Sequence, residues 1–317
     1  MSEQLIQLGS DDVRRAIGAM DPVATVAEDL IGRTIAPAGA ERRLPGRLVP
    51  WTGTPRHEPD ALALEPAPGL MTCIVPAASL RLVRSAALAA LAARELMVPG
   101  GVTVALVGMA AAVQPHLAVI ARHMPDISHV AVHLADVDEA GHAAAIPPEQ
   151  VDQLELSGIR LTVAGSPADA VFGANLVIVA GHGPAREYLD ALRLGQFARG
   201  AVLVNATGHD LPRELVDRVD DVYVDDLGLL AAHSGRYVVA AHVAAASEDR
   251  GVAYGREPRI VGDLGLLLTG GIGQRRRVDG IVLVELLGVT ELSTELADRI
   301  CEAARQAGLG SLLGKQE

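Results

Sequence analysis

Continuous apolar segments alternate with helical segments through the middle of this chain. Six such segments lie between residues 102 and 225, and the first, at 102–107, lacks the polar alternation of a strand with one face in water. Runs of this kind are typical of parallel strands that helices cover on both sides. The pattern predicts strands at 102–107, 130–134, 159–163, 176–180, 201–205 and 222–224, the number expected of a doubly wound sheet.

The N-terminal part of the chain follows a less regular pattern. Residues 11–34 predict two short helices, the second capped by Asp21 with Pro22 at its first position. Residues 36–68 are rich in Pro, Gly and Arg, and their apolar runs are short. Runs of this length predict strands of an irregular sheet. The elements predicted before residue 102 are strands at 47–51, 60–66 and 70–76 and a long helix at 77–98.

The pattern weakens after residue 227 into alanine-rich helix and loop, and it recovers after residue 260. Residues 281–287 are apolar and predict a final strand. Ser293 then predicts the cap of a C-terminal helix that ends at Gly308. The chain therefore ends in one more strand and one amphipathic helix.

Together these patterns predict an α/β fold with two domains, for which 317 residues are sufficient. A Rossmann-type doubly wound parallel sheet is predicted to occupy residues 99–276. Both chain ends, residues 1–98 and 277–317, are predicted to form a second α+β domain.

Composition narrows the kind of core and the kind of partner. The chain is 50% hydrophobic but only 2% aromatic, so Ala, Val and Leu must fill its core. Its net charge is -12 and its basic residues are scattered, which argues against a nucleic-acid partner and favours a small molecule. The only lysine is Lys315, so no lysine chemistry is available in the body of the chain.

Nothing in the sequence predicts a membrane partner or a secretion signal. The N-terminus lacks a basic segment followed by an apolar run. No apolar stretch continues without charge, Pro or Gly for the length of a membrane span. We therefore expect a cytoplasmic protein.

No residue spacing predicts a disulfide or a metal site. Cys73 and Cys301 lie far apart in apolar surroundings and form no C-x-x-C pair, so we expect two reduced core residues. His182, His209 and Asp210 could approach one another, but their spacing is not that of metal ligands. We expect no metal.

The turn after the strand at 102–107 is a candidate cofactor site. In a dinucleotide-binding unit it reads G-x-G-x-x-G, and its glycines let the backbone approach a pyrophosphate at the helix N-terminus. The candidate cofactor-binding residues here are Gly108, Met109, Ala110, Ala111 and Ala112. Ala110 takes the place of the second glycine and Val113 that of the third. The acid expected after the next strand comes two residues late, at Asp136.

Polar residues follow two other predicted strands, at the edge where open α/β sheets bind ligands. Asn205, Gly208, His209 and Asp210 come at the end of the fifth strand, and His182 follows the fourth. An aspartate in a partly apolar crevice can act as an acid or a base. Ordinary polar loop residues would give the same pattern.

Arg84 lies inside an otherwise apolar helix, three residues after Arg81 on the same face. An arginine in such a helix either extends to water or binds an anion, and its planar guanidinium suits a carboxylate. The helix by itself favours the first alternative, an Arg84 side chain that extends to water.

Three segments resemble the ornithine cyclodeaminase/mu-crystallin family, over roughly residues 63–308. LEPAPGLMTCIVPAASLRLVRSAA resembles the family segment with an R-T-A-A helix start. VNATGHDLPRELVDRV is similar to the family segment N-A-x-G-x-D-x-P-x-x-E-L. The part of the chain from LGLLLTGGIG onward is similar to the strand and helix that close the family sequence. The first match puts Arg84 at the arginine that binds the substrate carboxylate, with Ser85 at a threonine. The second puts Asp210 at the catalytic aspartate.

The resemblance implies a nucleotide domain and a substrate-binding domain through which the chain dimerises, with NAD or NADP as cofactor. The implied reaction removes hydride from the α-carbon of an amino acid to give an imine, which a second amine attacks before the hydride returns. Reductases of the family carry out half of this sequence. The implied site has Asp210 and Arg84 as catalytic residues, Arg47, Arg84 and His209 as substrate-binding residues, and the glycine turn with His182, Asn205 and Gly208 as cofactor-binding residues.

The sequence departs from the family pattern at several points. The active-site lysine is missing, and Arg47 is its nearest substitute. The glycine turn reads GMAAAVQ, the ribose acid is absent, and the family's T-x-F-K-S becomes VLVEL, which puts Glu285 in place of a lysine.

Two hypotheses follow from these matches and departures. The first is a divergent NAD(P)-dependent amino-acid cyclodeaminase, or an enzyme like an imine reductase or amino-acid dehydrogenase, in specialised metabolism. It would act on a small amino acid or imine as a homodimer. The second is a family member that has lost cofactor chemistry and serves as a binding or scaffolding subunit.

Overall fold

The computed structural model describes residues 5–35, 46–51, 60–135, 145–181, 186–247, 260–273 and 275–313. The helices are α1 (Ser10–Ile17), α2 (Pro22–Ile35), α3 (Ala77–Leu96), α4 (Ala110–His123), α5 (Pro148–Leu156), α6 (Pro167–Val171), α7 (Arg186–Asp190), α8 (Arg213–Val216), α9 (Tyr237–Ser247), α10 (Leu264–Leu268) and α11 (Thr294–Gln306). The strands are β1 (Ile6–Gln7), β2 (Arg47–Pro50), β3 (Ala61–Glu65), β4 (Cys73–Pro76), β5 (Val102–Gly108), β6 (Ile127–Leu134), β7 (Arg160–Val163), β8 (Leu176–Ala180), β9 (Val202–Ala206), β10 (Asp221–Val224), β11 (Ile260–Asp263), β12 (Val282–Glu285) and β13 (Ser311–Leu312). Within these ranges no helix combines the length and the apolar character that a membrane crossing needs.

The chain divides into two compact units. Met1–Arg84 and Thr290–Glu317 form the first, and Ser85–Val289 forms the second. The predicted domain boundaries lie elsewhere, after residues 98 and 276. The observed division falls inside α3 at one end and after β12 at the other.

The first unit contains a five-stranded mixed sheet in the order β13-β1-β4-β3-β2. β1 runs parallel to β4, and the other pairs are antiparallel. Asp21 caps α2 by accepting the Ala24 N–H at 2.9 Å, and the Ser293 side chain caps α11. These caps and the strands β2, β3 and β4 confirm the predictions for this unit. β1 and β13 have two residues each, too few to give a pattern.

Cys73 and Cys301 form a disulfide in this unit, so the prediction of two reduced cysteines is wrong. Their Cα atoms are 6.2 Å apart, within the range for a disulfide, although 228 residues separate them along the chain. Cys73 lies on β4 and Cys301 on α11, and both are fully buried. Spacing along the chain cannot reveal this pair because only the packing of the helix against the sheet brings it together.

The second unit contains an eight-stranded parallel sheet in the order β11-β10-β12-β9-β8-β5-β6-β7. Every residue of β8 and β9 is buried, as expected for strands with both faces covered. All six predicted strands are present, which confirms the α/β fold with a Rossmann-type parallel sheet. β11 and β12 extend the sheet beyond that count.

β12 corrects the assignment of the last strand to the second domain. It lies between β9 and β10, where Val282–Glu285 pairs with Val202–Asn205 on one side and with Asp221–Val224 on the other. A short apolar strand has the same pattern in any buried sheet. The pattern predicts the strand correctly but not the sheet to which it belongs.

The strand order reverses between β5 and β8. From this point β6 and β7 extend the sheet in one direction, and β8 and β9 extend it in the other. Open α/β sheets bind their ligands at the carboxyl ends of the strands beside such a reversal. The end of β5 is the residue Gly108.

Candidate functional site

Gly108 ends β5 in a conformation that only glycine adopts easily. Its φ is +150°, and a Cβ added to it would lie 1.8 Å from the carbonyl oxygen of Ala180 on β8. The backbones of the two central strands therefore approach each other too closely for any side chain here. Gly108 is the first glycine of the G-x-G-x-x-G fingerprint. The chain retains it, and the close approach of β5 and β8 requires it.

The loop after β8 closes the other side of the same turn. Gly181 has a φ of +116°, and a Cβ there would lie 3.2 Å from Cγ of Met109 and 3.4 Å from Cβ of Ala112. The two loops thus touch through Gly181. The next residue, His182, lies outside the described residues, so its contact with a cofactor stays a prediction.

α4 begins directly after this turn. It has 14 residues, and the N–H groups of Ala112 and Val113 both bond to the carbonyl of Met109 at 2.9 Å. Its N-terminus carries the positive end of the helix dipole to the reversal point of the sheet. Ala111 is exposed on the first turn, whereas Val113 is completely buried. The valine at the third fingerprint position therefore packs into the core and does not narrow the ligand surface.

The second fingerprint position is occupied by Ala110, which is 9% exposed. Its methyl group adds one carbon to the surface that a pyrophosphate would approach. β6 ends in Leu134, which is nearly buried, and the N–H of Ala135 bonds to the carbonyl of Gly108 at 2.8 Å. Asp136 lies outside the described residues. In the described part of the chain, β6 thus presents no acid for a ribose.

Asn205 holds the loop after β9 in place. It is completely buried, and its amide nitrogen donates to the carbonyl of His209 at 2.8 Å. Its carbonyl oxygen accepts from the hydroxyl of Thr207 at 2.7 Å, and that hydroxyl oxygen accepts the His209 N–H at 3.0 Å. Gly208 takes a φ of +74° inside this turn. The loop is rigidly bonded, and the cofactor contacts of Asn205 and Gly208 stay predictions.

Asp210 follows this loop with one carboxylate oxygen anchored. Its Oδ1 accepts from Nε of Arg236 at 3.0 Å and from the backbone N–H of Tyr237 at 3.0 Å. The side chain is 37% exposed. Among the described residues none bonds to Oδ2. Asp210 therefore presents one oxygen that is available to a ligand.

Arg236 bridges Asp210 to a second carboxylate, that of Glu285. Its Nη2 donates to Glu285 Oε1 and, at 2.7 Å, to the carbonyl of His209. Glu285 ends β12 and is 1% exposed, and both its oxygens accept from the amide of Asn205, at 2.8 and 3.0 Å. The charge reversal that the sequence shows at Glu285 is thus compensated by Arg236.

Burial dominates the electrostatics of Glu285. It raises the pKa of this carboxyl to about 7, because the loss of hydration outweighs the attraction of Arg236 and the hydrogen bond from Asn205. Asp225 lies nearby after β10 and accepts the N–H groups of Leu287 and Gly288 at 2.7 and 3.0 Å. Arg236 thus pairs with two carboxylates, and Asp225 adds negative charge near the second of them, Glu285.

Arg236, Glu285 and Asp225 are absent from the sites that the sequence predicts. A glutamate inside the apolar run IVLVELL is the one signal that could have found Glu285, because an acid in a buried strand needs a partner. Arg236 gives no such signal, since it lies in the region where the pattern is weak.

The predicted substrate-side arginines both belong to the first unit. Arg84 is 2% exposed on α3. The Arg47 side chain is 65% exposed and pairs with buried Glu65, its neighbour across the strands β2 and β3. Glu65 also accepts the Gly69 N–H at 2.5 Å, and the hydrogen bond from Arg47, followed by that from Gly69, lowers its pKa.

A buried histidine on α4 lies within hydrogen-bond distance of Ala112, in the first turn of that helix. His116 on α4 is inaccessible to solvent, and its ring nitrogens lie 2.8 Å from the carbonyl oxygen of Ala112 and 3.3 Å from the hydroxyl oxygen of Ser85. Burial lowers its pKa to about 4. Its imidazole is therefore neutral near neutral pH. The described residues contain no cluster of His, Cys, Asp and Glu that could hold a metal ion.

Solved structures with the same fold include several proteins of amino-acid and imine chemistry. CmnK is 22% identical over 100% of both chains, with a TM-score of 0.66. An archaeal alanine dehydrogenase dimer with bound NAD is 14% identical over 99% of this chain and 100% of its own, with a TM-score of 0.63. The Thermococcus litoralis Δ1-pyrroline-2-carboxylate reductase, solved with NADH and L-proline, is 14% identical over 98% and 100%, with a TM-score of 0.64.

Comparison of the sequence itself gives the family. None of the curated proteins matched the chain. The profile of the ornithine cyclodeaminase/mu-crystallin family matches residues 48–307, which is most of the sequence and nearly all of the range on which the predicted resemblance rests. The chain belongs to the ornithine cyclodeaminase/mu-crystallin family.

Proposed function

We propose that this protein is a divergent NAD(P)-dependent enzyme that acts on a small amino acid or a cyclic imine, as a cyclodeaminase or imine reductase. The observation that carries the proposal is the geometry of Asp210. Asp210 lies in the family segment that holds the catalytic aspartate. One of its carboxylate oxygens is fixed by two N–H donors, and the other oxygen is available to a ligand. Such a carboxylate can accept and return a proton at a substrate amine.

The cofactor side of the second unit supports this function. Gly108 and Gly181 let the loops after β5 and β8 lie close together at the reversal point of the sheet, and the N-terminus of α4 offers its dipole to a pyrophosphate. When bound, the nicotinamide would accept or supply the hydride. Met109 and Ala111 would line the cofactor, while the buried Val113 would not touch it.

On the substrate side, the family resemblance assigns Arg84 to the substrate carboxylate. His209 and Arg47 are proposed as further substrate contacts. Arg47 stays protonated, since an arginine does not exchange protons at physiological pH. It therefore provides charge at most, and Asp210 is left as the proton-transfer group. We further propose a homodimer, which a measured solution mass of a single chain would contradict.

A second function, that of a binding or scaffolding subunit without cofactor chemistry, has two observations in its favour. Ala110 adds a methyl group where the fingerprint has glycine, and Leu134 and Ala135 offer no carboxylate to a ribose. Losing a charged hydrogen bond of that kind costs about 1.5–3 kcal/mol, or roughly tenfold to a hundredfold in affinity. Such a loss weakens nucleotide binding without abolishing it.

Titration of the protein with NADH and with NADPH separates the two functions. We expect saturable binding by nicotinamide fluorescence, together with a higher thermal midpoint, because a ligand of the folded state stabilises it by mass action. If neither nucleotide binds at millimolar concentration, the enzyme proposal is wrong and the scaffolding function is favoured.

Two variants on α4 locate the binding site. Ala111→Glu places a negative charge on the exposed first turn and should weaken nucleotide binding by about tenfold or more through repulsion of the pyrophosphate. The matched control is Ala118→Glu, half-buried in the middle of the same helix, which should bind as the unmodified protein does. Equal affinities of the two variants would place the nucleotide elsewhere.

Asp210→Asn tests the proposed proton transfer. The asparagine oxygen can still accept from Arg236 and Tyr237, so the loop should keep its structure. We expect nucleotide binding to persist and NADH oxidation with a panel of cyclic imines to disappear. A variant with full turnover would remove Asp210 from the mechanism.

A further inference from the structure

Arg236 is the central residue of the site and joins two carboxylates that differ in environment. Through Nε it holds Asp210, which is partly exposed, and through Nη2 it holds Glu285, which is buried. Its side chain is only 12% exposed. One positive charge, shielded from water, is thus shared between a partly exposed carboxylate and a buried one.

We propose that Glu285 and Arg236 are positioning residues that set the basicity of Asp210, so that a proton on Glu285 determines how much of the Arg236 charge acts on Asp210. The part of the proposal that concerns catalysis rests on the function proposed for Asp210. The coupling between the two carboxylates does not depend on that function.

The coupling follows from the sharing of one cation. When Glu285 is ionised, the attraction of Arg236 is divided between two anions. When Glu285 is protonated, the charge of Arg236 acts mainly on Asp210, whose carboxylate is then stabilised and becomes a weaker base. Because Arg236 and Glu285 are shielded from water, this redistribution is felt more strongly than between surface charges.

The described groups that act on Glu285 come from several neighbouring elements. Asn205 donates from β9, Arg236 from the residue before α9, and Asp210 and Asp225 contribute negative charge from the loops after β9 and β10. Because its loss of hydration outweighs the attraction of Arg236, Glu285 takes up a proton more readily than an ordinary carboxylate does. With its pKa raised to about 7 by burial, Glu285 changes its charge in the neutral range.

Carbon-13 NMR of the side-chain carboxyl groups tests the coupling directly. In protein labelled at Asp and Glu, Asp210→Asn and Glu285→Gln assign the two resonances. Between about pH 5 and about pH 9 we expect the Glu285 resonance to titrate and the Asp210 resonance to shift with the same midpoint. An Asp210 resonance that ignores the titration of Glu285 would overturn the proposal, and so would a Glu285 that stays ionised throughout.

Variants show whether Arg236 transmits the effect. Glu285→Gln should remove the neutral-range shift of Asp210, whereas the control Glu65→Gln, another buried glutamate paired with an arginine, should keep it. Arg236→Lys keeps the charge but cannot bridge both carboxylates through two nitrogens, so the Asp210 shift should become smaller. If Glu285→Gln fails to fold, the shared midpoint in the unmodified protein alone supports or overturns the proposal.

The kinetic consequence separates this proposal from the proposed function. Given turnover, Glu285→Gln should move the pH profile of kcat while leaving KM for the nucleotide unchanged, which a merely structural defect would not do. Coupled NMR midpoints without nucleotide binding would support the coupling and refute the enzyme function. Nucleotide binding with different NMR midpoints for Asp210 and Glu285 would support the enzyme function and refute the coupling.

Discussion

At the scale of single residues, Gly108 and Glu285 show two different constraints on the site. Gly108 is fixed by backbone: its φ is +150°, and the carbonyl of Ala180 occupies the space of a side chain. Glu285 is fixed by charge, because a carboxylate that is 1% exposed needs Arg236 and Asn205 to remain in the core. The first constraint shapes the turn after β5, and the second shapes the loop after β9.

Replacing Gly108 by alanine should destabilise the protein strongly. The new methyl group would lie 1.8 Å from the carbonyl oxygen of Ala180, so β5 and β8 would have to separate. Gly100→Ala is a matched control, since Gly100 has a φ of +149° and nothing within 4 Å of an added Cβ. We expect the control to lose about 1–3 kcal/mol of unfolding free energy through backbone strain alone, and Gly108→Ala to lose clearly more, as measured by urea denaturation. Equal losses of unfolding free energy in the two variants would show that the close approach of β5 and β8 adds nothing to the cost of a side chain at Gly108.

At the scale of elements, the site lies at the carboxyl ends of the neighbouring strands β9, β12 and β10 of the large sheet, where polar residues occur. β12 is inserted between β9 and β10, which places Glu285 directly opposite Asn205 in register. Arg236, the residue before α9, and Tyr237, its first residue, both donate to Asp210, so the loop after β9 and the start of this helix are tied together. In the first unit, a disulfide joins β4 to α11.

Breaking the disulfide should weaken the first unit. Cys73 and Cys301 close a loop of 228 residues, and a crosslink of this kind contributes about 2–5 kcal/mol, mainly by restricting the unfolded chain. We expect the oxidised protein to unfold at higher urea concentration than the reduced protein. The double variant Cys73→Ala, Cys301→Ala should unfold near the reduced form and should not respond to reductant. Two reactive thiols in the denatured, unreduced protein would contradict the disulfide.

At the scale of the whole molecule, two buried groups make stability depend on pH in opposite directions. Glu285 has a raised pKa, so between 4.5 and about 7 the folded state binds more protons than the unfolded state, and stability falls as pH rises. His116 has a lowered pKa, so between about 4 and 6.5 the unfolded state binds more protons, and stability rises with pH. The two effects oppose each other in mildly acidic solution.

The effect of Glu285 can be isolated by substitution. Relative to the unmodified protein, Glu285→Gln should gain unfolding free energy between about pH 5 and about pH 8, by up to about 3 kcal/mol for a shift of this size. The contribution of His116 cancels in this difference. Glu65→Gln is the control, since the lowered pKa of Glu65 makes its contribution constant over this range. A Glu285→Gln difference that does not vary with pH would show that Glu285 is ionised throughout.

Several features of this protein could be predicted from the sequence because they depend on neighbours along the chain. Apolar runs predict the strands of the parallel sheet, Asp21 and Ser293 predict helix caps, and the segment around Asp210 identifies the family. Hydrophobic periodicity, capping and turn chemistry act over a few residues, so they are visible in one sequence.

Other features were decided by the tertiary structure alone. The position of β12 in the large sheet, the sharing of Arg236 between Asp210 and Glu285, and the disulfide each join residues that are distant in the chain, by 26 residues for Arg236 and Asp210, 49 for Arg236 and Glu285, and 228 for the two cysteines. No local pattern records which distant segments become neighbours, because that depends on how helices and strands pack into a common core. Local patterns therefore predict the elements, the family and the glycine turn, whereas packing places Arg236 and, through it, Glu285 beside Asp210.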